Sequence, residues 1–138
     1  MMRAYLAGPM TGIPQFNFPE FDRVAAILRA DGWDIVSPTE LDDTFDREAA
    51  MDSPDGAAGH THMTWGDFLA RDVKLIANDP DLDAMFVLPG WQTSRGARLE
   101  TFVAAGLRRL PILDPFTYMP LDPAELLRAW ARGMTVVE

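Results

Sequence analysis

Two acids stand where helices should be apolar. Taken as a helix of ~100° per residue, the stretch from Thr64 to Asn78 places Trp65, Phe68, Leu69, Val73 and Ile76 on one arc, with Asp72 near its middle. Arg71 and Lys74 lie well away from that centre. The stretch "QTSRGARLETF" (92–102), continued to Leu107, repeats the pattern: Ala97, Val103, Ala104 and Leu107 span an arc, and Glu100 falls near its middle. Neither acid has a basic residue at helical spacing on its own face. A buried charge without a partner is costly, so such groups are paired or shift their pKa. Gly96, one turn before Glu100, sharpens the case. Helical side chains lean toward the N-terminus, so Glu100 reaches over a residue without a side chain, toward the helix mouth. A buried acid bonded to backbone donors or to a Tyr or Trp would be the structural alternative; two acids aimed at one place favour chemistry. Tyr5 is a third candidate, since a buried hydroxyl needs a partner and a carboxylate would serve.

The elements that must position these groups can be read from pattern. "RAYLA" (3–7) reads as a buried strand, and "GPMTGIPQ" as a loop. Asn17 is expected to cap a helix with Pro19 in its first turn and Glu20 at the capping-box position. Phe18, Phe21, Val24, Ala25 and Leu28 then recur at helical spacing up to Gly32. "WDIV" (33–36) is a second strand, giving a βαβ unit and a parallel sheet. Residues 39–63 are acidic and predict a loop insertion with at most one short helical turn. Thr64 and Asp67 cap the next helix. "AMFVL" (84–88) and "LPIL" (110–113) are further strands, with the Ser94 helix between them running to about Gly106. Asp122 and Pro123 open a last helix, with Glu125 in its first turn, ending near Gly133. "MTVV" is an edge strand or a tail. The expectation is one doubly wound, flavodoxin- or Rossmann-like α/β domain over 1–138, with a four- or five-stranded, mostly parallel sheet. Ligands of such sheets bind outside the carboxyl ends of the strands, where the loops at 8–16 and 89–95 should form one site.

Composition narrows the function. A length of 138 residues suits a single domain, and 48% hydrophobic residues allow a real core. No apolar run is long enough to span a bilayer, and the N-terminus has too short an apolar stretch for a signal peptide; a cytoplasmic protein with no membrane partner is the expectation. The absence of cysteine excludes disulfides, thiolate catalysis and cysteine-built zinc sites. A net charge of -9 disfavours duplex nucleic acid, whose binding rests on Lys and Arg, yet leaves room for one small anion held by local donors.

Taken together, Tyr5 in "YLAGP", Asp72 in "RDVKLI", the strand "AMFVL" and the S-x-G-x-x-x-E of Ser94, Gly96 and Glu100 resemble the nucleoside 2-deoxyribosyltransferase superfamily, which includes deoxynucleoside 5'-monophosphate N-hydrolases. The opening "YLAGPMTGIPQFNFPEF" is similar to a small, mostly uncharacterised bacterial and phage branch of it. The resemblance implies that Glu100 is the nucleophile at the anomeric carbon, that Asp72 manages the proton on the leaving base, and that Tyr5 orients Glu100. That is the retaining two-carboxylate pattern, with a covalent glycosyl-enzyme released by water or by a second base. Gly8, Pro9, Met10, Ser94 and Gly96 are expected to touch a nucleoside or nucleotide. Where the transferases tend to carry an acid this chain has Ser94, which can donate to a phosphate, so a 5'-monophosphate is favoured. Thr11 stands near where the monophosphate hydrolases carry an Arg; Arg95 or Arg98 are the available replacements.

Other signals are weaker. His60 and His62 form an H-x-H that would need a carboxylate to hold a metal; neither metal nor cofactor is expected. "GPMTG" lacks the spacing of a dinucleotide fingerprint. Met10, Ile13 and Phe16 either sandwich a base or pack, and Trp91 and Gln92 either shape the pocket or pack on the fold. Phe102 points roughly opposite Glu100; a helix apolar on both faces is covered on both, by a homo-oligomer interface or by the C-terminal helix. The expected reaction is cleavage of the N-glycosidic bond of a (deoxy)nucleoside 5'-monophosphate. The alternatives are base exchange by a deoxyribosyltransferase and a nucleotide sensor without turnover, since a fold does not fix an activity.

Overall fold

A computed structural model describes residues 1–57 and 63–134. Four parallel strands, β1 (Arg3–Ala7), β2 (Asp34–Val36), β3 (Ala84–Val87) and β4 (Ile112–Leu113), form a sheet of order β2-β1-β3-β4. The α-helices among the described residues are α1 (Phe18–Ala30), α2 (Thr44–Met51), α3 (Trp65–Asn78), α4 (Arg95–Thr101) and α5 (Pro123–Ala131), with a π-helical continuation of α4 over Phe102–Leu107. This is the doubly wound α/β arrangement. His60 and His62, and the tail from Thr135 on, lie outside the described residues, and with them the H-x-H and the edge strand or tail expected at "MTVV".

The period of two along β1 sorts its side chains between two cores. Ala4 and Leu6 face α1, joining Phe21, Val24 and Leu28. Tyr5 and Ala7 face the other way, joining Ile76 of α3, Ala97 of α4, and Leu126 and Ala129 of α5. Tyr5 is therefore delivered, fully buried, to the side of the sheet that carries α3 and α4. The strand order reverses direction between β1 and β3, which is where doubly wound sheets open a crevice.

Two local expectations are corrected and, of the two covers expected for Phe102, the C-terminal helix is found in part. Residues 39–63 hold more than one helical turn: α2 is eight residues long, capped by Asp43, whose carboxylate accepts the Asp46 N–H at 2.8 Å. Asn17 stands at the N-cap position of α1 without capping it. Its φ is +63°, left-handed, and its Nδ2 donates instead to the Pro9 carbonyl at 3.0 Å, while Glu20 pairs with Arg23. Phe102 is covered in part by α5, its ring meeting Trp130 edge-on at 5.2 Å, though it stays 41% exposed. By contrast Thr64 and Asp67 cap α3 reciprocally, and the Ser94 hydroxyl accepts the Ala97 N–H at 3.1 Å. No helix among the described residues is long and apolar enough to cross a membrane.

Candidate functional site

A cavity of about 320 Å³ opens at the carboxyl ends of β1 and β3. Both acids line it. Asp72 reaches it from the middle of α3 and Glu100 from α4, and both are buried. Gly8, Met10, Thr11 and Phe16 come from the loop after β1; Ser94, Arg95 and Gly96 come from the start of α4. The two loops thus meet in one site.

Tyr5 stands behind Glu100 rather than in the cavity. Its hydroxyl donates to Glu100 Oε2 at 2.6 Å. Burial raises this phenol well above its ordinary value, helped by the charges of Glu100 and Asp72. Glu100 is pushed up to about 8, first by desolvation and then by the Asp72 charge, against the pull of the Tyr5 hydrogen bond. A carboxyl so placed is largely protonated at neutral pH.

Asp72 is not unpartnered. Arg71, a neighbour in sequence and about 100° away on the helix, folds its long arm back so that Nε donates to Asp72 Oδ1 at 2.9 Å. Its Nη1 donates to Asp42 Oδ1 at 2.6 Å and its Nη2 to the Pro38 carbonyl at 3.3 Å. The guanidinium lies over the Phe68 ring, 5.2 Å from its centroid. Desolvation still leaves Asp72 and Asp42 raised above ordinary aspartates, with Arg71 opposing. Sequence reasoning missed Arg71 because a helical wheel weighs Cα direction, and a long, flexible side chain spans the difference. It missed Asp42 because an acid in an acidic loop carries no spacing signal. Asp46, Trp65 and Phe68 also line the cavity unforeseen.

Several other expectations are placed elsewhere. Pro9 does not line the cavity; its carbonyl holds Asn17. Ile13 does not line it either, leaving Met10 and Phe16 as the apolar pair from that loop. Trp91 is buried in the core, and Gln92 donates to Glu125 of α5 at 2.9 Å, so neither shapes the pocket. Arg98 turns away to the Ser94 and Arg132 carbonyls, whereas Arg95 lines the cavity and lies over Trp65, 4.5 Å from the ring centroid. Gly8 has a packing reason: a Cβ there would stand 2.8 Å from Leu88 Cβ. At Gly96 a Cβ would meet nothing nearer than Leu69 Cδ1 at 3.9 Å, so the space beside Glu100 is open.

The far wall is irregular. Gln15, Phe16 and Asn17 all have left-handed φ, at 56°, 51° and 63°, a conformation that costs roughly 1–2 kcal/mol per residue. Hydrogen bonds to the segment after α2 hold it: Gly12 N to Gly56 O at 3.0 Å, Gln15 N to Ser53 O at 2.8 Å, and Gln15 Nε2 to Met51 O at 2.9 Å. Strain fixed in this way tends to mark function, and here it sets Phe16 on the cavity.

No curated protein matches the chain. A profile described as a domain of unknown function, DUF4406, matches residues 2–113. That span contains all four strands, both acid-bearing helices and every residue that lines the cavity, leaving α5 beyond it; the chain belongs to the DUF4406 family.

Proposed function

We propose that this protein cleaves the N-glycosidic bond of a (deoxy)nucleoside 5'-monophosphate through a covalent glycosyl-Glu100 intermediate, releasing free base and sugar phosphate. The observation that carries the reading is the Tyr5–Glu100 hydrogen bond at the edge of a cavity that Asp72 shares. A structural acid bonded to a Tyr needs no opening; this one lines the cavity together with Gly96. The resemblance of Tyr5, Asp72 and the S-x-G-x-x-x-E to the deoxyribosyltransferase superfamily supports the same assignment.

In the first step a Glu100 carboxylate oxygen bonds to the anomeric carbon. The carbon–nitrogen bond breaks, its electron pair leaves with the base, and Asp72 supplies the base with a proton. In the second, water attacks the same carbon, Asp72 takes the water's proton back, and Glu100 leaves as the carboxylate. Glu100 must be ionised to begin and Asp72 protonated. The resting pair holds its proton on Glu100, so that proton has to move from Glu100 to Asp72. Two interacting carboxyls titrate as a pair, and above the Glu100 value of about 8 the pair loses the one proton the base needs, so a falling limb of kcat/KM as pH rises through that value is the expected signature.

Phosphate recognition falls to Ser94, whose hydroxyl accepts from the Ala97 N–H and keeps its own proton to donate, and to Arg95 at the rim. Among the described residues Arg95 makes no salt bridge. The test is incubation with each common nucleoside and nucleoside 5'-monophosphate, with and without a second free base. Free base and sugar phosphate are expected. A new nucleotide would mean base exchange instead, and binding without turnover across the panel would mean a sensor.

A further inference from the structure

Arg71 is shared between two carboxylates of the cavity. It spans Asp42 at 2.6 Å and Asp72 at 2.9 Å, with Asp42's side chain only 6% exposed and Asp72's 11%. The Pro38 carbonyl and the face of Phe68 fix the fork from two further sides. A guanidinium with that many fixed partners has little freedom to leave. Glu100 lines the same cavity, close enough to feel the Asp72 charge, and among the described residues the Tyr5 hydroxyl is its hydrogen-bond partner.

We propose that Arg71, anchored by Asp42, is a positioning residue that decides which of the two cavity carboxylates carries their shared proton: it holds Asp72 as the anion and so leaves the proton on Glu100. The groups facing Glu100 are few enough to argue the sign. From β1 comes Tyr5, a donor. From α3 come Arg71 and Asp72. Asp42 and Asp46 line the cavity from the segment that ends in α2, and Ser94 and Arg95 from the start of Glu100's own helix. Arg71 acts on Glu100 in two opposed ways. Directly, its positive charge favours the Glu100 carboxylate. Indirectly, by keeping Asp72 charged, it opposes it. The second route dominates if Asp72 cannot stay ionised in this buried place without its arginine, as the cost of an unpaired buried charge requires. The consequence for the reaction is that the resting protein has the right number of protons on the pair and the wrong arrangement. Weakening the Arg71–Asp72 contact is then what moves the proton to Asp72 and frees Glu100 to attack. Only the naming of these two as the reacting carboxylates rests on the proposed function; the proton's placement does not.

The experiment tracks the side-chain carboxyl carbons by carbon-13 NMR from pH 4 to 10, with Glu100 and Asp72 assigned by the resonances lost in Glu100→Gln and Asp72→Asn. In the wild type Glu100 should titrate near 8. In Arg71→Gln its midpoint should fall by roughly one pH unit or more while that of Asp72 rises, and Arg71→Lys should move Glu100 part of the way back. If Glu100 in Arg71→Gln stays near the wild-type value or rises, the direct route wins and the proposal is overturned. Should Arg71→Gln fail to fold, Asp72→Asn carries the test, because it is isosteric and removes the same anion: Glu100 must titrate lower there, and an unchanged midpoint overturns the proposal. None of these readings needs turnover, so an inactive protein that titrates as stated would overturn the proposed reaction and leave this inference standing.

Discussion

The cavity wall that bears Asp72 and Glu100 is two helices with side-chain caps; the wall facing it is two irregular segments that hold each other. On the helical wall the ends are satisfied locally, by Thr64 with Asp67 and by Ser94. Both carboxylates are positioned by the packing of regular elements on the sheet. On the irregular wall three consecutive left-handed residues are kept in place by bonds from Gly12 and Gln15 to residues 51–56. The first wall places charges where small displacements matter; the second shapes the space around a ligand. Reacting groups therefore sit on the part of the protein whose geometry is set by burial, and ligand-shaping groups on the part set by loop-to-loop hydrogen bonds.

The largest effect should come from breaking the helical wall at its centre. Glu100→Gln keeps the shape but removes the charge, and activity should fall by ~10³ or more, the scale seen when nucleophiles are removed. Stability should move the other way, with a pH dependence whose sign is fixed. The folded carboxyl gains its proton near 8 and the unfolded one near 4.5. Between those values the folded protein holds a proton that the unfolded chain has lost, so wild-type stability falls as pH rises through the window and levels off above it. Glu100→Gln lacks that loss. Its advantage over wild type should be absent below about pH 4.5 and grow to a few kcal/mol near pH 8 and above. Denaturation midpoints at pH 5 and pH 8.5, read beside turnover, check both halves. A mutant that unfolds easily while its folded fraction still turns over substrate would make Glu100 a structural acid.

The same wall can be altered in selectivity without touching the reacting pair. Ser94→Asp preserves an N-cap and puts a negative charge where the phosphate is expected. Monophosphate kcat/KM should fall on the order of 10²-fold relative to nucleoside kcat/KM, since like charge beside a bound anion costs a few kcal/mol. Equal losses on both substrates would remove the phosphate from this corner.

Breaking the irregular wall should weaken binding more than chemistry. Gly56 has φ of +65°, and a Cβ there would stand 2.0 Å from the Ile13 carbonyl oxygen. Gly56→Ala cannot keep the bond from Gly12 without shifting the loop. KM should rise roughly tenfold, the equivalent of about 1.4 kcal/mol, with kcat changed by less than about threefold. A kcat that collapses with KM unchanged would mean that the irregular wall also sets the chemistry, and the contrast between the walls would fail.

That contrast also explains what the sequence makes legible. Glu100, Asp72 and Tyr5 betray themselves because a regular element has a period, and a polar residue on its apolar phase is a visible exception. The sheet and its reversal between β1 and β3 come from the same periodicity and from the alternation of strands with helices. Asn17 misleads because capping signals assume a right-handed or extended approach, and its φ of +63° turns the side chain back to Pro9. The helix over 44–51 hides in an acidic stretch with few apolar residues to mark its phase. Its cap by Asp43 is a local signal three residues long, whereas its tie from Arg47 to Asp22 and the Thr39 carbonyl at 3.0 Å is a tertiary fact. The Asp42–Arg71–Asp72 contact is of that kind too: 29 residues separate Asp42 from Arg71, and no local pattern links them.

The smallest effect tests whether a brace outside the matched span reaches the chemistry. Behind the helical wall, α5 lies after residue 113 and touches α4 through Trp130, whose Nε1 donates to Thr101 Oγ1 at 3.0 Å, and touches the turn before α4 through Glu125, which accepts from Gln92. Thr101 is the residue after Glu100, fully buried, and its hydroxyl also donates to the Arg98 carbonyl at 2.8 Å. Trp130→Phe removes one donor, keeps an aromatic ring against Phe102, and leaves Thr101 with a partner. The loss is therefore a single net hydrogen bond with no orphaned buried group, about 0.5–1.5 kcal/mol in stability, and kcat should stay within about twofold. A larger fall in kcat at full folding would show that Glu100's placement depends on the brace behind it as well as on β1 and α3. The helical wall would then extend through α5, and its precision would come from three packed helices instead of two.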